Sequence, residues 1–196
     1  METAFVPEDF FRRYSVAEMF GSGTECEVDL GCGDGGFLLA MAAHYPETRF
    51  LGVERLLGRI RKVCTEAARQ GLANVRGLRL ESRYFLEWMI APGSIRRLHY
   101  LFPDPWPKEK HHKNRLVQAS FLPVLHRALA PGGEFLFKTD HDEYFTWVCA
   151  LMDASPLFRR EPWNTPFYPR TDFQQQWEAM GKPIFAARYV RSDEQL

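Results

Sequence analysis

The sequence of 196 residues lacks any hydrophobic run that approaches the length of a membrane span. Residues 1–13 alternate charged and aromatic side chains and contain no continuous apolar core of the kind that a secretory signal peptide needs. We therefore expect a soluble, cytoplasmic protein that has no contact with a membrane. The length, together with 45% hydrophobic residues, is enough for one domain with a full-sized core.

The sequence also lacks an excess of either charge and any closely paired cysteines. Its 25 basic and 25 acidic residues cancel, which argues against a protein that coats nucleic acid over its whole surface but permits a local basic patch. The four cysteines form no CxxC pair and no zinc-finger spacing, so we expect them to be reduced and mostly structural. No metal site is predicted.

Apolar runs that predict strands alternate with patterns that predict helices. The predicted strands are 26–30, 49–53, 74–80, 96–102 and 134–138, and the predicted helices are 36–44, 56–70, 85–89 and 116–129. Pro123 is expected to kink or divide the last helix, and residues 131–133 are expected to form a turn. Strands separated by helices are typical of βαβ units, so we predict an α/β fold with a doubly wound, mainly parallel sheet.

The C-terminal part departs from this alternation. Four prolines fall among aromatic residues between 156 and 169, which predicts an extended, irregular segment. Residues 184–190 are then predicted to form a last, antiparallel strand in a hairpin at the edge of the sheet. We therefore expect a single domain over 1–196, with 1–24 as an N-terminal lead and 155–183 as an irregular segment that faces the substrate.

A glycine-rich segment, DLGCGDGG at 29–36, joins the first predicted strand to the first long helix. Glycine permits positive φ and lets a ligand approach the backbone where a Cβ would obstruct it. Loops of this kind, at the carboxyl ends of parallel strands, hold nucleotide-like cofactors in α/β sheets. The segment therefore predicts a site for an adenosine-containing cofactor, with Gly31 and Gly33 close to it.

The acids of this region favour S-adenosylmethionine (SAM) over a nicotinamide dinucleotide. The spacing G-x-G-x-x-G fits both, but Asp29 and Asp34 would repel a pyrophosphate and suit a ligand that carries an ammonium and a sulfonium group. Glu54 ends the second strand, where its carboxylate can accept hydrogen bonds from both ribose hydroxyls. Glu81 and Ser82 end the third strand, where the adenine edge is expected.

The segment FPDPWPK at 102–108 follows the fourth predicted strand and contains three prolines in five positions. Because proline fixes its own φ and restricts the preceding residue, this loop is expected to be rigid. It would hold Asp104 and Trp106 at the carboxyl end of a central strand, facing the cofactor cleft. A rigid acid and an aromatic ring at this edge of a sheet indicate a functional site rather than a stiff connector.

A basic cluster, KEKHHKNR at 108–115, follows directly and contains four permanent positive charges and one acid. Its place beside the rigid loop favours binding of nucleic-acid phosphates, with Lys108, Lys113 and Arg115 as candidates. The pair His111 and His112 has no further His or Cys at ligand spacing, so the cluster does not predict a metal site.

Together these motifs resemble those of the tRNA (guanine-N7)-methyltransferases, a family of class I SAM-dependent enzymes. The resemblance rests on DLGCG at 29–33, FLGVE at 50–54, HHKNRL at 111–116, KTD at 138–140 and above all FPDPWPK, and extends over roughly residues 15–190. It implies a Rossmann-like methyltransferase sheet, SAM as cofactor, tRNA as partner and methyl transfer to N7 of a guanine, the variable-loop guanine at tRNA position 46.

The resemblance also implies roles for individual residues, with Asp104 as the active-site acid. The residues expected to bind SAM are Asp29, Gly31, Gly33, Glu54, Arg55, Glu81 and Ser82, and those expected to bind tRNA are Trp106, Lys108, Lys113, Arg115, Asp140, Thr171 and Gln174. Gln174 departs from the family pattern, because the family's threonine-x-aromatic-glutamate motif has a carboxylate where this chain has TDFQ at 171–174. Asn114 stands where the family has a basic residue.

Three alternatives stay open at this point. Methylation of an exocyclic amine is the nearest, although such enzymes place a second proline before the aromatic residue of the motif, and Asp104-Pro105-Trp106 lacks it. A SAM- or tRNA-binding protein without turnover is the second, suggested by Gln174 alone. A dehydrogenase is the third, disfavoured by the acids of the glycine loop. A homodimer or a partner protein that supplies further basic surface is also compatible with the zero net charge.

Overall fold

The computed structural model describes residues 3–193. The strands are β1 (Cys26–Leu30), β2 (Phe50–Glu54), β3 (Val75–Arg79), β4 (Ile95–Leu101), β5 (Leu129–Thr139), β6 (Phe158–Glu161) and β7 (Phe185–Arg191). The helices are α1 (Val16–Phe20), α2 (Gly36–His44), α3 (Leu57–Arg69), α4 (Ser82–Tyr84), α5 (Leu122–Ala128), α6 (Asp142–Asp153) and α7 (Asp172–Ala179). A π-helical turn, Phe85–Met89, continues α4, and two 3-10 turns, Glu109–Asn114 and Ala119–Phe121, precede α5.

Within residues 3–193 the strands form one sheet in the order β3-β2-β1-β4-β5-β7-β6. The first five strands are parallel, and the chain runs outward from β1 to β3 on one side and from β4 to β5 on the other. The predicted α/β fold with a doubly wound, mainly parallel sheet is therefore confirmed. The order reverses between β1 and β4, and such a switch point opens a crevice at the carboxyl ends of the strands.

Two clusters of buried side chains cover the sheet. One joins the sheet to α5 and α6 through residues such as Leu125 and Val148, and the other joins it to α2 and α3 through Leu38 and Val63. The strand β1 is buried along its whole length, including the acidic side chains that alternate within it. Among residues 3–193, no helix combines the length and apolar character that a membrane crossing requires.

The C-terminal hairpin differs in detail from the prediction. The last strand, β7, is antiparallel to β5 as expected, but it lies inside the sheet, and β6 forms the edge. The segment 155–183 is also less irregular than predicted, because it contains both β6 and α7. The strand β6 pairs with the side of β7 that faces away from β5. The hydroxyl of Thr171 caps α7 by accepting a hydrogen bond from the backbone amide of Gln174 at 3.0 Å.

Two further differences lie next to prolines, at Pro123 and Pro131. The helix predicted over 116–129 begins only at Leu122, so Pro123 lies in its first turn, where the missing amide hydrogen costs no helical bond. The turn predicted at 131–133 lies within β5 as a bulge, since residues 130–133 stand opposite Arg96 alone in the pairing with β4.

Candidate functional site

A cavity of about 600 Å³ opens at the carboxyl ends of β1 to β4, beside the start of α7. Its wall includes ten of the residues that the sequence singled out: Asp29, Gly31, Gly33, Glu54, Arg55, Glu81, Ser82, Asp104, Trp106 and Thr171. Lys108, Lys113, Arg115, Asp140 and Gln174 are not part of that wall. The parallel topology explains why residues so far apart in sequence meet, because most of them lie at or just after the end of a parallel strand, and these strands end at the same edge.

The glycine loop shapes one side of the cavity. Gly31 and Gly33 have φ of +73° and +56°, and a Cβ built on either residue would meet no protein atom within 4 Å. Gly35 has a different reason to lack a side chain, because its Cβ would lie 2.7 Å from Cγ2 of Val63 on α3. The first two glycines therefore leave open space next to the backbone, as a closely bound ligand requires.

Two buried acids give the cavity a negative character. Asp29 is 3% exposed and Glu54 is 6% exposed. Burial, together with the nearby charge of Glu54, raises the pKa of Asp29 to about 7. Oε1 of Glu54 accepts a hydrogen bond from the Leu56 amide at 2.9 Å, and Oε2 lies 3.7 Å from Nη1 of Arg59. A cationic ligand would offset the repulsion between these carboxyl groups.

Asp34 contributes less to this negative character than its position in the sequence indicates. Its carboxylate forms an ion pair with Lys62 at 2.6 Å and lies 4.0 Å from Nε of Arg59. Its charge is therefore balanced by the first turns of α3. Asp29 and Glu54, rather than Asp34, therefore disfavour a pyrophosphate ligand.

Glu81 marks the end of the cavity near β3. Its two carboxylate oxygens accept hydrogen bonds from the amides of Arg83 at 2.9 Å and Tyr84 at 2.7 Å, so the side chain caps α4. Ser82 follows it in the wall of the cavity. Both residues are held in place by the start of a helix and the π-helical turn behind it.

The loop after β4 forms the opposite side of the cavity and carries Asp104, whose side chain is exposed. Phe102 and Trp106, on either side of the Pro-Asp-Pro sequence, have positive φ of 51° and 47°. The Phe102 amide donates a hydrogen bond to the Lys138 carbonyl at 2.8 Å, which ties the loop to β5. The indole of Trp106 packs edge-on against His111, with ring centroids 5.9 Å apart.

The basic cluster divides into two kinds of residue. Lys108 and Lys113 are exposed and free to reach a phosphate, while Asn114 lies in the cavity wall, which the sequence did not indicate. Arg115 was predicted to bind tRNA, but in the structure its side chain faces the protein interior. Its side chain is fully buried, and its guanidinium hydrogen-bonds the Pro105 carbonyl at 2.9 Å and pairs with Glu143.

Asp140 and Gln174 do not line the cavity, and both bind other side chains of the protein. Oδ2 of Asp140 pairs with Nζ of Lys182 at 3.2 Å. Oε1 of Gln174, a 9% exposed residue, accepts a hydrogen bond from Lys138 at 3.3 Å, and its amide donates to Glu178 at 2.8 Å. In this arrangement Gln174 connects α7 to the sheet.

Sequence reasoning missed a buried polar group beneath the proline-rich segment. The ammonium of Lys138 lies 4.9 Å and 4.7 Å from the ring centroids of Trp163 and Tyr168, and burial lowers its pKa. The Tyr168 hydroxyl lies 2.9 Å from Nδ1 of His99, whose Nε2 lies 3.0 Å from Glu27. The aromatic residues at 163–168 are the feature of the sequence that could have indicated this buried polar group, because their rings pack this segment against the sheet.

A metal centre is a separate question from the cofactor cavity. Across the part of the chain that the structure describes, no three His, Cys, Asp or Glu side chains cluster in a way that could hold a metal ion.

Comparison with known sequences identifies close relatives along nearly the whole chain. Residues 24–187 match the family model Methyltransf_4, whose description is "Putative methyltransferase". The chain is 34% identical over 187 residues to the tRNA (guanine-N(7)-)-methyltransferase of Chromohalobacter salexigens, which covers 91% of this chain and 76% of that protein. It is 35% identical over 177 residues to the enzyme of the same name from Leifsonia xyli subsp. xyli, covering 87% and 78%.

Solved structures with the same fold are more distant in sequence. The 16S rRNA methyltransferase KamB superposes with a TM-score of 0.67 at 16% identity, over 92% of this chain and 95% of that one. A SAM dependent methyltransferase from Aquifex aeolicus superposes with a TM-score of 0.59 at 13% identity, over 86% and 82%. At this level of identity the likeness shows the fold alone.

Proposed function

The chain belongs to the family of the tRNA (guanine-N(7)-)-methyltransferases, and we propose that it transfers a methyl group from SAM to N7 of the variable-loop guanine at tRNA position 46. The observation that carries the proposal is the position of Asp104, which the proline-rich loop after β4 brings to the same cavity as the glycine loop and the two buried acids. The shared cavity supports the proposal, because Asp104 would bind the base next to the bound cofactor.

The cavity fits SAM in shape and in charge. Gly31 and Gly33 leave open space where the methionine part would approach the backbone, and Asp29 would hold its ammonium group. Glu54 would accept hydrogen bonds from the ribose hydroxyls, with Arg55 beside it, and Glu81 with Ser82 would border the adenine. When bound, SAM supplies an electrophilic methyl group on a positively charged sulfur.

The chemistry explains why the site needs no general base. Guanine N7 has an in-plane lone pair and carries no proton, so the protein mainly has to align the base and stabilise the positive charge that develops on it. We propose that Asp104 accepts hydrogen bonds from N1–H and the N2 amino group of guanine, and that Trp106 packs against the base. Both residues line the cavity.

The surroundings of Asp104 offer contacts for the rest of the tRNA. Lys108 and Lys113 are exposed beside the loop and would bind phosphates. Thr171 lies in the cavity wall at the start of α7 and would contact the target nucleotide. We assign Asp140 and Gln174 a supporting role, because the contacts of Asp140 with Lys182 and of Gln174 with Lys138 hold α7 and its neighbours against β5.

The proposal is tested with radiolabelled SAM, a panel of unmodified tRNA transcripts and the variant Asp104→Asn. We expect label at N7 of guanine 46 with the wild-type protein, located by nuclease digestion. In Asp104→Asn we expect a loss of about 100-fold or more in kcat, because the carboxylate charge stabilises the cationic purine. The matched control is Glu109→Gln, an exposed acid five residues away that does not line the cavity.

Each outcome separates the alternatives. Label on an exocyclic amine would replace the proposal with the nearest rival, and label at N7 of another guanine would correct only the position. SAM binding without transfer to any tRNA would indicate a protein without turnover. A near wild-type kcat in Asp104→Asn would show that the carboxylate charge is not needed.

A further inference from the structure

The loop that carries Asp104 has a backbone that its own residues do not favour. Phe102 and Trp106 both have positive φ, at 51° and 47°, a region that side chains with a Cβ rarely adopt. Such conformations persist only where the surrounding structure holds them, and they concentrate at functional sites. Asp104 lies midway between these two residues, so its position depends on whatever fixes the two ends of the loop.

The two ends of the loop are held by different parts of the fold. At the first end, the Phe102 amide donates to the Lys138 carbonyl on β5 at 2.8 Å. At the second end, Nε of Arg115 donates to the Pro105 carbonyl at 2.9 Å, and Nη2 donates to the Trp106 carbonyl at 3.5 Å. A single side chain, ten residues further along the chain than Pro105, therefore binds two successive carbonyls of the loop.

Arg115 is itself fixed from the opposite side by α6. Its Nη1 and Nη2 pair with the two carboxylate oxygens of Glu143 at 2.9 Å and 2.5 Å. The rings of Tyr144 and Trp147 lie 4.8 Å and 5.3 Å from the guanidinium carbon. The Arg115 side chain is 0% exposed, whereas that of Glu143 is 51% exposed, so Glu143 closes the site on the solvent side.

We propose that Arg115 and Glu143 form a clamp that sets the position of Asp104, with Arg115 as a positioning residue rather than a phosphate ligand. The clamp rests on the proposed function, since it acts through the residue that would bind the target guanine. It connects the loop after β4, which lines the cavity, to α6, the helix after β5. Only a planar guanidinium can bind a carboxylate with two nitrogens and a carbonyl with a third.

The decisive variant is Arg115→Lys, which keeps the positive charge and removes the planar guanidinium with its three nitrogen donors. At saturating SAM and tRNA we expect kcat to fall by about 100-fold, because small displacements of a positioned group cost about that much. The Kd for SAM and the KM for tRNA are expected to stay within about twofold, since Arg115 touches neither the glycine loop nor solvent. A rise in KM with unchanged kcat would overturn the proposal in favour of a tRNA contact.

Arg127→Lys is the matched control for a purely structural effect. Nη2 of Arg127 donates to the carbonyls of Leu86 and Glu87, both at 2.8 Å, and none of these residues lines the cavity. Arg127→Lys also removes hydrogen bonds from a guanidinium to two backbone carbonyls, but at a place away from the cavity. We therefore expect a lower Tm with an unchanged kcat. An equal loss of kcat in both arginine variants would mean that general destabilisation explains the effect.

A double variant shows whether Arg115 acts through Asp104. In the Asp104→Asn background, Arg115→Lys is expected to cause less than about a twofold further loss of kcat, because residues that act as a unit are not additive. A further loss of about 100-fold would show that the two side chains act independently and would overturn the clamp.

Hydrogen–deuterium exchange tests the clamp without relying on methyl transfer. In Arg115→Lys, peptides that span 102–106 are expected to exchange about tenfold faster than in the wild type, whereas Arg127→Lys leaves them unchanged. If Arg115→Lys does not fold, Glu143→Gln gives the same comparison with a half-exposed side chain. Unchanged exchange in the folded variants would refute the clamp, while absence of N7 methylation by the wild type would refute the proposed function alone.

Discussion

The buried carboxyl group of Asp29 is expected to lower the free energy of unfolding when it is ionised and to favour cofactor binding in that same state. The variant Asp29→Asn measures both effects. Burial and the charge of Glu54 raise the pKa of Asp29 from 3.8 to about 7. An acid with a raised pKa binds its proton more tightly in the folded state than in the unfolded chain. Its contribution to the free energy of unfolding is therefore complete below about pH 4 and is lost as the pH rises through about 7.

The size of the effect follows from that shift. A change of three pKa units corresponds to roughly 4 kcal/mol, of which about 3 kcal/mol falls between pH 5 and pH 8. Asparagine has nearly the same shape and no charge, so the free energy of unfolding of the variant does not decrease in this way as the pH rises. We expect the free energy of unfolding of Asp29→Asn, relative to that of the wild type, to rise by about 3 kcal/mol from pH 5 to pH 8.

Urea denaturation at both pH values measures this difference, with Glu25→Gln as the control because Glu25 is exposed directly before β1. With SAM bound, we expect the wild type to become more stable than the variant at pH 8, since a cationic ligand favours the ionised carboxylate. SAM is expected to stabilise the wild type more at pH 8 than at pH 5, and the variant hardly at either. A difference between variant and wild type that stays constant from pH 5 to pH 8 would refute the reasoning.

Three further predictions concern other residues of the site. Gly33→Ala is expected to weaken SAM binding at least tenfold, because the added Cβ enters the open space of the cavity. Gly71→Ala is the control, since Gly71 has a similarly positive φ of 69° and does not line the cavity. Calorimetry on both variants checks this. Lys113→Ala is expected to raise the KM for tRNA and to reduce the slope of log affinity against log salt by about one, while the Kd for SAM stays unchanged. Gln174→Leu is expected to lower the free energy of unfolding by about 1–3 kcal/mol, because it leaves the buried ammonium of Lys138 without this acceptor; urea denaturation measures it, and an unchanged stability would contradict the contact.

Local patterns in the sequence were enough to predict much of the cavity. Asp29 is the last residue but one of β1, Glu54 is the last residue of β2, and Glu81 follows β3 after one more residue. Because parallel strands in a doubly wound sheet end at one edge, their placement around one cavity follows once the alternation of strands and helices is recognised. The prolines of the FPDPWPK segment likewise predicted a rigid loop from their covalent geometry alone.

The same patterns could not separate residues of equal chemistry that lie close together in the chain. Lys113 and Arg115 are two residues apart and carry the same charge, yet one is exposed and the other is enclosed against α6. Composition described the basic cluster correctly as a group. It carried no information on which member would meet Glu143, 28 residues further along the chain.

By itself, then, the sequence determined the class of fold, the glycine loop and the acids at the strand ends, because each depends on periodicity or on backbone preferences of neighbouring residues. The tertiary structure alone decided that Arg115 holds the Asp104 loop, that Gln174 binds Lys138, and that Lys62 balances Asp34. These contacts join segments that are distant in sequence, and whether a charged side chain meets a partner or water depends on how the helices pack on the sheet.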